Sequence, residues 1–345
     1  MTSALPADAQ APALGDVPGE FLFAKLRGRR SLLLEGDRLR ELAREPSLPD
    51  LALRLYPHER VAGRSDLERV ILRGCVAELN GLARYAGGPR GVLYRRLLDR
   101  YRVENLKVLL RLHGSKEDPS PYLIDLPDNR ALPVDVLRAA PTVGAFVDAI
   151  PLPFVRSGAR EAMDAHEATR NRAYLEMAFD RGYWEGVRDA IGRLPAAEAR
   201  RCAGPIRAER EAMRLLATLR ASAVYALSWE EWSPYLPPAA GGATDEMLQA
   251  VHARPDIDRL VDTVPFLRRV PGVGAAADIG ELEEVLWQRT VHAADRQFYS
   301  TSSAGALLVS YFYLKRNETR RLLELAQRLH HGRTPEETAE RPNPG

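Results

Sequence analysis

The chain has 345 residues, 45% of them hydrophobic and 28% charged, enough for one large core or two to three small ones in a protein of ordinary soluble composition. Its 49 basic and 47 acidic residues cancel to a net +2, too little to imply a nucleic-acid footprint or strong attraction to anionic lipid, so charge alone names no partner. Cys75 and Cys202 lie far apart within helical patterns, which excludes a disulfide scaffold or a Cys-based zinc site and fits a reducing cytosol.

Met1 to Pro18 is rich in Ala and Pro and lacks both the basic and the apolar region of a signal peptide, so a flexible leader is expected there. Residues 21–43, with Leu26, Leu32, Leu33, Leu39 and Leu42, predict one charged amphipathic helix. A helix after Pro46, a helix over 67–85 and a long helix over 92–112 follow. The run 114–133, with Pro119, Pro121, Pro127 and Pro133, is rich in breakers and marks a boundary. A helix after Pro141, a bend at Pro151 and Pro153, and helices over 174–191 and 207–227 come next. Ser233 to Pro238 with Gly241-Gly242 marks a second boundary, and the remaining chain repeats the order as far as Leu329. The expected organisation is a leader at 1–18, helical modules at 19–132, 133–240 and 241–331, and a disordered tail at 332–345. Few segments alternate with period 2, so the fold class is all-α. The longest apolar stretch, Ala304 to Leu314, includes Gly305 and Ser310 and falls short of the roughly 18–20 residues that a bilayer crossing needs.

The modules rest on two repeated signatures. Proline followed by apolar residues at offsets 2, 5 and 9 occurs at Pro46 (Leu48, Leu51, Leu55), Pro141 (Val143, Phe146, Ile150) and Pro255 (Ile257, Leu260, Val264). This suits a helix with Pro in its first turn and one buried stripe. Each copy is followed by a Leu- and Arg-rich helix. Aligning Asn105, Arg214 and Arg321, and likewise Leu72, Phe179 and Leu286, gives a period of roughly 108 residues, too long for one turn of a solenoid and suited to a multi-helix module.

No motif supplies an active site. Gly272-Val-Gly274 lacks the strand that a dinucleotide-binding turn needs, and reads as a loop. His166-Glu167 has Arg170 where a second zinc-binding His would stand, and reads as a solvated helix face. His330 and His331 point about 100° apart on a helix. There is no phosphate-binding Lys-Ser or Lys-Thr loop and no nucleophile with a base, so no catalytic residue, metal or cofactor is expected. Asn105 and Glu318, by contrast, interrupt apolar helical faces. A buried carboxylate needs a partner, and Arg320, Arg321 or an arginine of another module could supply it. Two readings stay open: a polar clasp that fixes helix register, or a polar lining for a central cavity that receives another protein.

At these helices the chain resembles a family of connector subunits of the rotary V/A-type ATPases, lettered C in archaea and bacteria and d in eukaryotes. Asp99-Arg-Tyr-Arg-Val-Glu-Asn105-Leu-Lys107-Val-Leu-Leu-Arg111 is similar to the family's helix built around an Asn-Ile/Leu-Lys core and ending in Leu-Leu-Arg. Tyr174 to Tyr183 and Tyr311 to Leu322 are similar to its second- and third-module helices. The chain departs from the family in having Arg102 where Asp is usual, and Arg214 and Arg321 where the Asn repeats. The resemblance implies a non-catalytic, funnel-shaped protein with a central cavity, one copy per complex, on the cytoplasmic face of the membrane. It would join the central-shaft subunits to the membrane proteolipid ring and transmit rotation for proton or sodium transport, with no nucleic acid among its partners. Polar positions expected to line or brace the cavity are Asn105, Lys107, Arg111, Glu211, Arg214, Arg220, Glu318 and Arg321. A free-standing helical adaptor would explain the same repeats.

Overall fold

The computed structural model describes residues 19–331; the leader and the tail lie outside the described residues. Every regular element in the described residues is helical. The expected helix over 21–43 is two helices, α1 (Gly19–Arg30) and α2 (Asp37–Leu42), because the chain turns at Gly36, whose φ of 54° lies in the left-handed region. The next elements are α3 (Leu48–Leu55), α4 (Arg64–Ala83) and α5 (Gly88–Arg111). The breaker-rich run forms two 3-10 turns, Ser120–Tyr122 and Asp128–Arg130. After it come α6 (Val134–Ala139), α7 (Val143–Asp148), α8 (Pro153–Glu161), α9 (Met163–Thr169) and α10 (Ala173–Gly192).

The helix expected from residue 207 starts earlier, as α11 (Ala196–Ala223), and passes through Pro205. Proline removes one hydrogen bond there without ending the helix, its ring being buried beside Ile206. Then follow α12 (Trp229–Trp232), α13 (Asp245–Ala253), α14 (Leu260–Thr263), α15 (Ile279–Ser300) and α16 (Ala304–His330).

The three repeated prolines sit one step outside the position expected of them. Each precedes the residue that caps the helix: Ser47 accepts from the Asp50 N–H, Thr142 from Ala145 and Asp256 from Asp258. A polar cap satisfies an orphan donor, and the preceding proline holds the chain extended on its way in. The middle apolar residue of each pattern is inside the protein, with Leu51 and Phe146 at 0% exposure and Leu260 at 1%. The third copy is reduced to a 3-10 turn, Ile257–Arg259, running into α14.

The six longest helices form three hairpins, α4–α5, α10–α11 and α15–α16, turning across residues 84–87, 193–195 and 301–303. They touch in the order α4, α5, α10, α11, α15, α16, and α16 returns to α4, so the last hairpin closes on the first. The second helices α5, α11 and α16 run the same way, and α16 also contacts both α5 and α11. Every residue from Ala304 to Leu314 is buried, as expected of a helix that is apolar all round and packed on every side. Where α8 crosses α10, a methyl group on Gly182 would lie 2.5 Å from the Phe154 carbonyl oxygen and 2.7 Å from the Val155 Cα. Only glycine lets these two backbones meet.

Candidate functional site

Charged groups from all three hairpins converge where α5, α11 and α16 face one another. Arg100, Glu209 and Arg316 stand five residues before Asn105, Arg214 and Arg321, at equivalent places on the three helices. Glu209, 7% exposed, accepts hydrogen bonds from Arg316 Nη1 at 2.9 Å and from the Tyr313 hydroxyl at 2.8 Å. Arg100 pairs with Glu104 at 3.0 Å and adds its field to that of Arg316 around Glu209. Lys107 completes the group, donating to both carboxylate oxygens of Asp180 on α10 at 2.7 and 2.9 Å and lying 3.5 Å from Glu104.

Burial pushes the Glu209 carboxyl up, but Arg316, Arg100 and the two hydrogen bonds outweigh it and hold the group below its ordinary value. The Glu104 carboxyl is likewise lowered: burial opposes ionisation, and Arg100 and Lys107 overcome it. The same burial drives the neighbouring phenols Tyr183 and Tyr313 upward, so they remain hydrogen-bond donors. The side chains are unequally enclosed. Glu104 keeps 38% of its surface open to solvent, against 17% for Arg100 and 10% for Lys107, so the charged centre opens to water on the Glu104 side.

The eight positions read from the sequence each join two parts of the chain. Asn105 makes a two-way contact with the backbone of Ile124, donating to its carbonyl and accepting from its N–H, both at 2.8 Å. It thereby pins the breaker-rich run to α5. Arg214 does the same service for the next connection, donating to the Pro237 carbonyl and to Asp245. Lys107 and Arg111 tie α5 to α10, Arg111 through a fork on Glu176 at 2.7 and 2.5 Å. Glu211 holds Arg289 at 2.5 Å, and Arg220 holds Glu283, both linking α11 to α15. Arg321 binds Glu284 on α15 and Glu324 on its own helix.

Glu318 differs from expectation. Its partner is Lys315, together with the Leu34 N–H at 2.7 Å, because Arg320 and Arg321 both turn to Glu284. Lys315 extends the chain of charges to Glu78 at 3.0 Å, which also accepts from Arg29 at 2.8 Å and Tyr311 at 2.5 Å. Burial lowers the Lys315 ammonium, but Glu318 and Glu78 outweigh it and raise it above its ordinary value.

Two open surface hollows are lined by none of these eight positions. One, of about 450 Å³, lies between Arg27, Arg30, Arg38 and Tyr299, and another, of about 560 Å³, lies at the end of α16 by Glu324 and His331.

His166 is not on a solvated face: it is 4% exposed and its Nδ1 meets the Asn171 carbonyl, while Arg170 takes a left-handed φ of 58° to end α9. Gly272 turns at a φ of 87° into a 3-10 turn, with no strand before it. Among the described residues no group of three or more His, Cys, Asp or Glu side chains could hold a metal. Burial pushes the Cys202 thiol up to about 12 and raises that of Cys75, so neither is a ready thiolate.

The sequence reading missed Arg100, Glu104, Asp180, Glu209, Arg316 and the Glu78–Lys315 pair. Stepping the repeat back from Asn105, Arg214 and Arg321 would have found the first, fourth and fifth together.

The family model of the ATP synthase (C/AC39) subunit matches residues 22–341. The chain belongs to this family. A comparison with the curated proteins gave no match. Family membership makes the chain a subunit of a V/A-type ATPase complex. No helix among the described residues is long and apolar enough to cross a membrane, which fits a peripheral C/AC39 subunit.

Proposed function

We propose that this C/AC39 protein is the non-catalytic coupler of the rotor, joining the central shaft to the membrane proteolipid ring on the cytoplasmic face, one copy per complex. The observation that carries the proposal is the closed circuit of long helices around the Arg100–Glu209–Arg316 centre. A coupler must twist as one body under torque, and a close-packed interior transmits strain instead of absorbing it. Charges drawn from every hairpin resist sliding of one hairpin past another, since moving any of them leaves a buried ion unpaired.

On this reading the three hairpins belong to modules 19–132, 133–240 and 241–331. The eight polar positions brace the wall of a funnel whose floor is the water-facing charged centre at Glu104. Rotation then links ATP chemistry elsewhere in the complex to proton or sodium movement.

The test is to tag the chain in its own cell, solubilise membranes in mild detergent and identify what co-elutes. Recovery of a small membrane proteolipid with large nucleotide-binding subunits is expected. A clean chain with unrelated partners would discard the coupler.

A further inference from the structure

The near-neutral total hides a polar distribution. The three hairpin turns gather at one end of the bundle. Arg90 in the first turn of α5 pairs with Glu198 in the first turn of α11 at 2.5 Å, and a methyl group on Gly305 in the first turn of α16 would touch both side chains. The start of α1 joins them, a methyl group on Gly19 lying 3.9 Å from Ala304.

Six cations stand on this end with no carboxylate partner among the described residues: Lys25, Arg27, Arg84, Arg200, Arg201 and Arg296. Of these, Arg84, Arg200, Arg201 and Arg296 are exposed. The neighbouring carboxylates Asp189, Glu198 and Asp295 are already paired, to Arg193, Arg90 and Arg30, which leaves Glu20 as the unpaired carboxylate at this end among the described residues. Aromatic rings lie among the cations. Tyr299 is 60% and Phe21 48% exposed, Lys25 sits 4.8 Å over Tyr85, and Arg27 stacks 5.1 Å from both Phe23 and Phe298. At the other end the connection 224–278 carries eight acidic residues against four arginines, and presents Glu230, Glu246, Asp258 and Asp262 to solvent together with Arg254, Arg259, Arg268 and Arg269.

We propose that the hairpin-turn end is a docking face for anionic phospholipid headgroups. Arginines free of carboxylates supply the attraction, each worth a distinct step in affinity near an anionic surface. Exposed tyrosine and phenylalanine suit the headgroup boundary, where an aromatic ring can sit half in water. The acidic opposite end is repelled by the same surface, so the field of the whole molecule turns the hairpin turns towards the bilayer. The inference goes beyond the coupler reading and does not need it.

The test is sedimentation of the full chain with vesicles of phosphatidylcholine alone or mixed with phosphatidylglycerol, at low and high salt. Binding to the anionic vesicles is expected, falling at high salt, with none to the neutral ones. Changing Arg84, Arg200, Arg201 and Arg296 together to Ser should weaken it by roughly tenfold or more. Changing Arg254, Arg259, Arg268 and Arg269 to Ser at the opposite end should leave it within about twofold, because distant charges are screened. Circular dichroism checks that both variants are folded.

Equal binding to both vesicles, equal loss in both variants, or no binding by the unaltered chain would overturn the proposal. So would a first variant that keeps vesicle binding and loses a delipidated proteolipid ring, since the partner would then be protein. Failure to recover proteolipid from the cell would remove the coupler and leave the vesicle result standing.

Discussion

Glu209 shows how much the interior of this protein depends on pairing. An isolated carboxylate there would be costly, and its ionisation rests on Arg316, Arg100 and Tyr313. Glu209→Ala leaves Arg316 without its carboxylate beside Arg100, whose charge Glu104 still offsets, and should cost roughly 3–5 kcal/mol, read from urea midpoints. The pH profile carries the same information. Because the folded carboxyl titrates below its ordinary value of 4.5, the pair stabilises the fold fully above that value, and the stabilisation fades as pH falls through the lowered folded value. Glu104, also lowered, acts in the same direction. Thermal midpoints should therefore drop on the acid side, and Glu209→Gln should flatten that slope while leaving a hydrogen-bond acceptor for Tyr313. An unchanged slope would show that Glu209 takes no part in it. Glu318→Ala strands Lys315 beside Glu78 and frees the Leu34 N–H. If the variant matches the parent in both stability and shaft binding, neither the clasp nor the cavity role for this residue survives.

At the scale of elements, the long helices could be read from the sequence because their apolar residues recur at helical spacing and their turns are marked by Gly, Pro and Ser. Of the three positions equivalent by spacing, Phe179 and Leu286 are fully buried and Leu72 is only partly so. What could not be read was decided by local backbone geometry or by partners far along the chain. The break between α1 and α2 hangs on one left-handed glycine in a segment whose leucines still keep helical order. The extension of α11 through Pro205 runs against a rule that usually holds. At the candidate site, Asn105 announced itself by interrupting an apolar face, but its partner is a backbone group in a loop without periodicity. Glu209 and Arg316 sit among other charged residues, and nothing local marks them as inward-facing.

Two outcomes follow at this scale. Asn105→Ala leaves both Ile124 backbone groups without their partner, should cost roughly 1–3 kcal/mol, and should speed proteolytic cleavage within 114–133. Unaltered cleavage would mean the run is held by other contacts. Gly182→Ala forces a methyl group against the α8 backbone and should cost roughly 1–3 kcal/mol with no charge altered.

Over the whole molecule, the main apolar cluster joins α1, α4, α5, α10 and α16 with Ile206 of α11 and Phe298 of α15, and a second surrounds the later part of α11 and the start of α15. The circuit of helices makes these clusters depend on each other. Trp184 lies in the first and Trp232 in the second, so fluorescence of variants keeping only one of them should follow the same denaturation curve as circular dichroism. Separate midpoints would show that the hairpins hold independently.

The closure of α16 on α4 also sets an order of events during synthesis. The helix whose first half is buried on all sides is the last of the sixteen among the described residues to leave the ribosome, and the Leu34 N–H must wait for a carboxylate 284 positions further on. Until then the grooves of α1, α4 and α11 stay open to water with their apolar faces uncovered, the condition in which partly made chains aggregate. Contacts of such long sequence separation form slowly. Completion of the fold therefore waits for α16, and the interval before it is when a nascent chain of this protein most needs a chaperone.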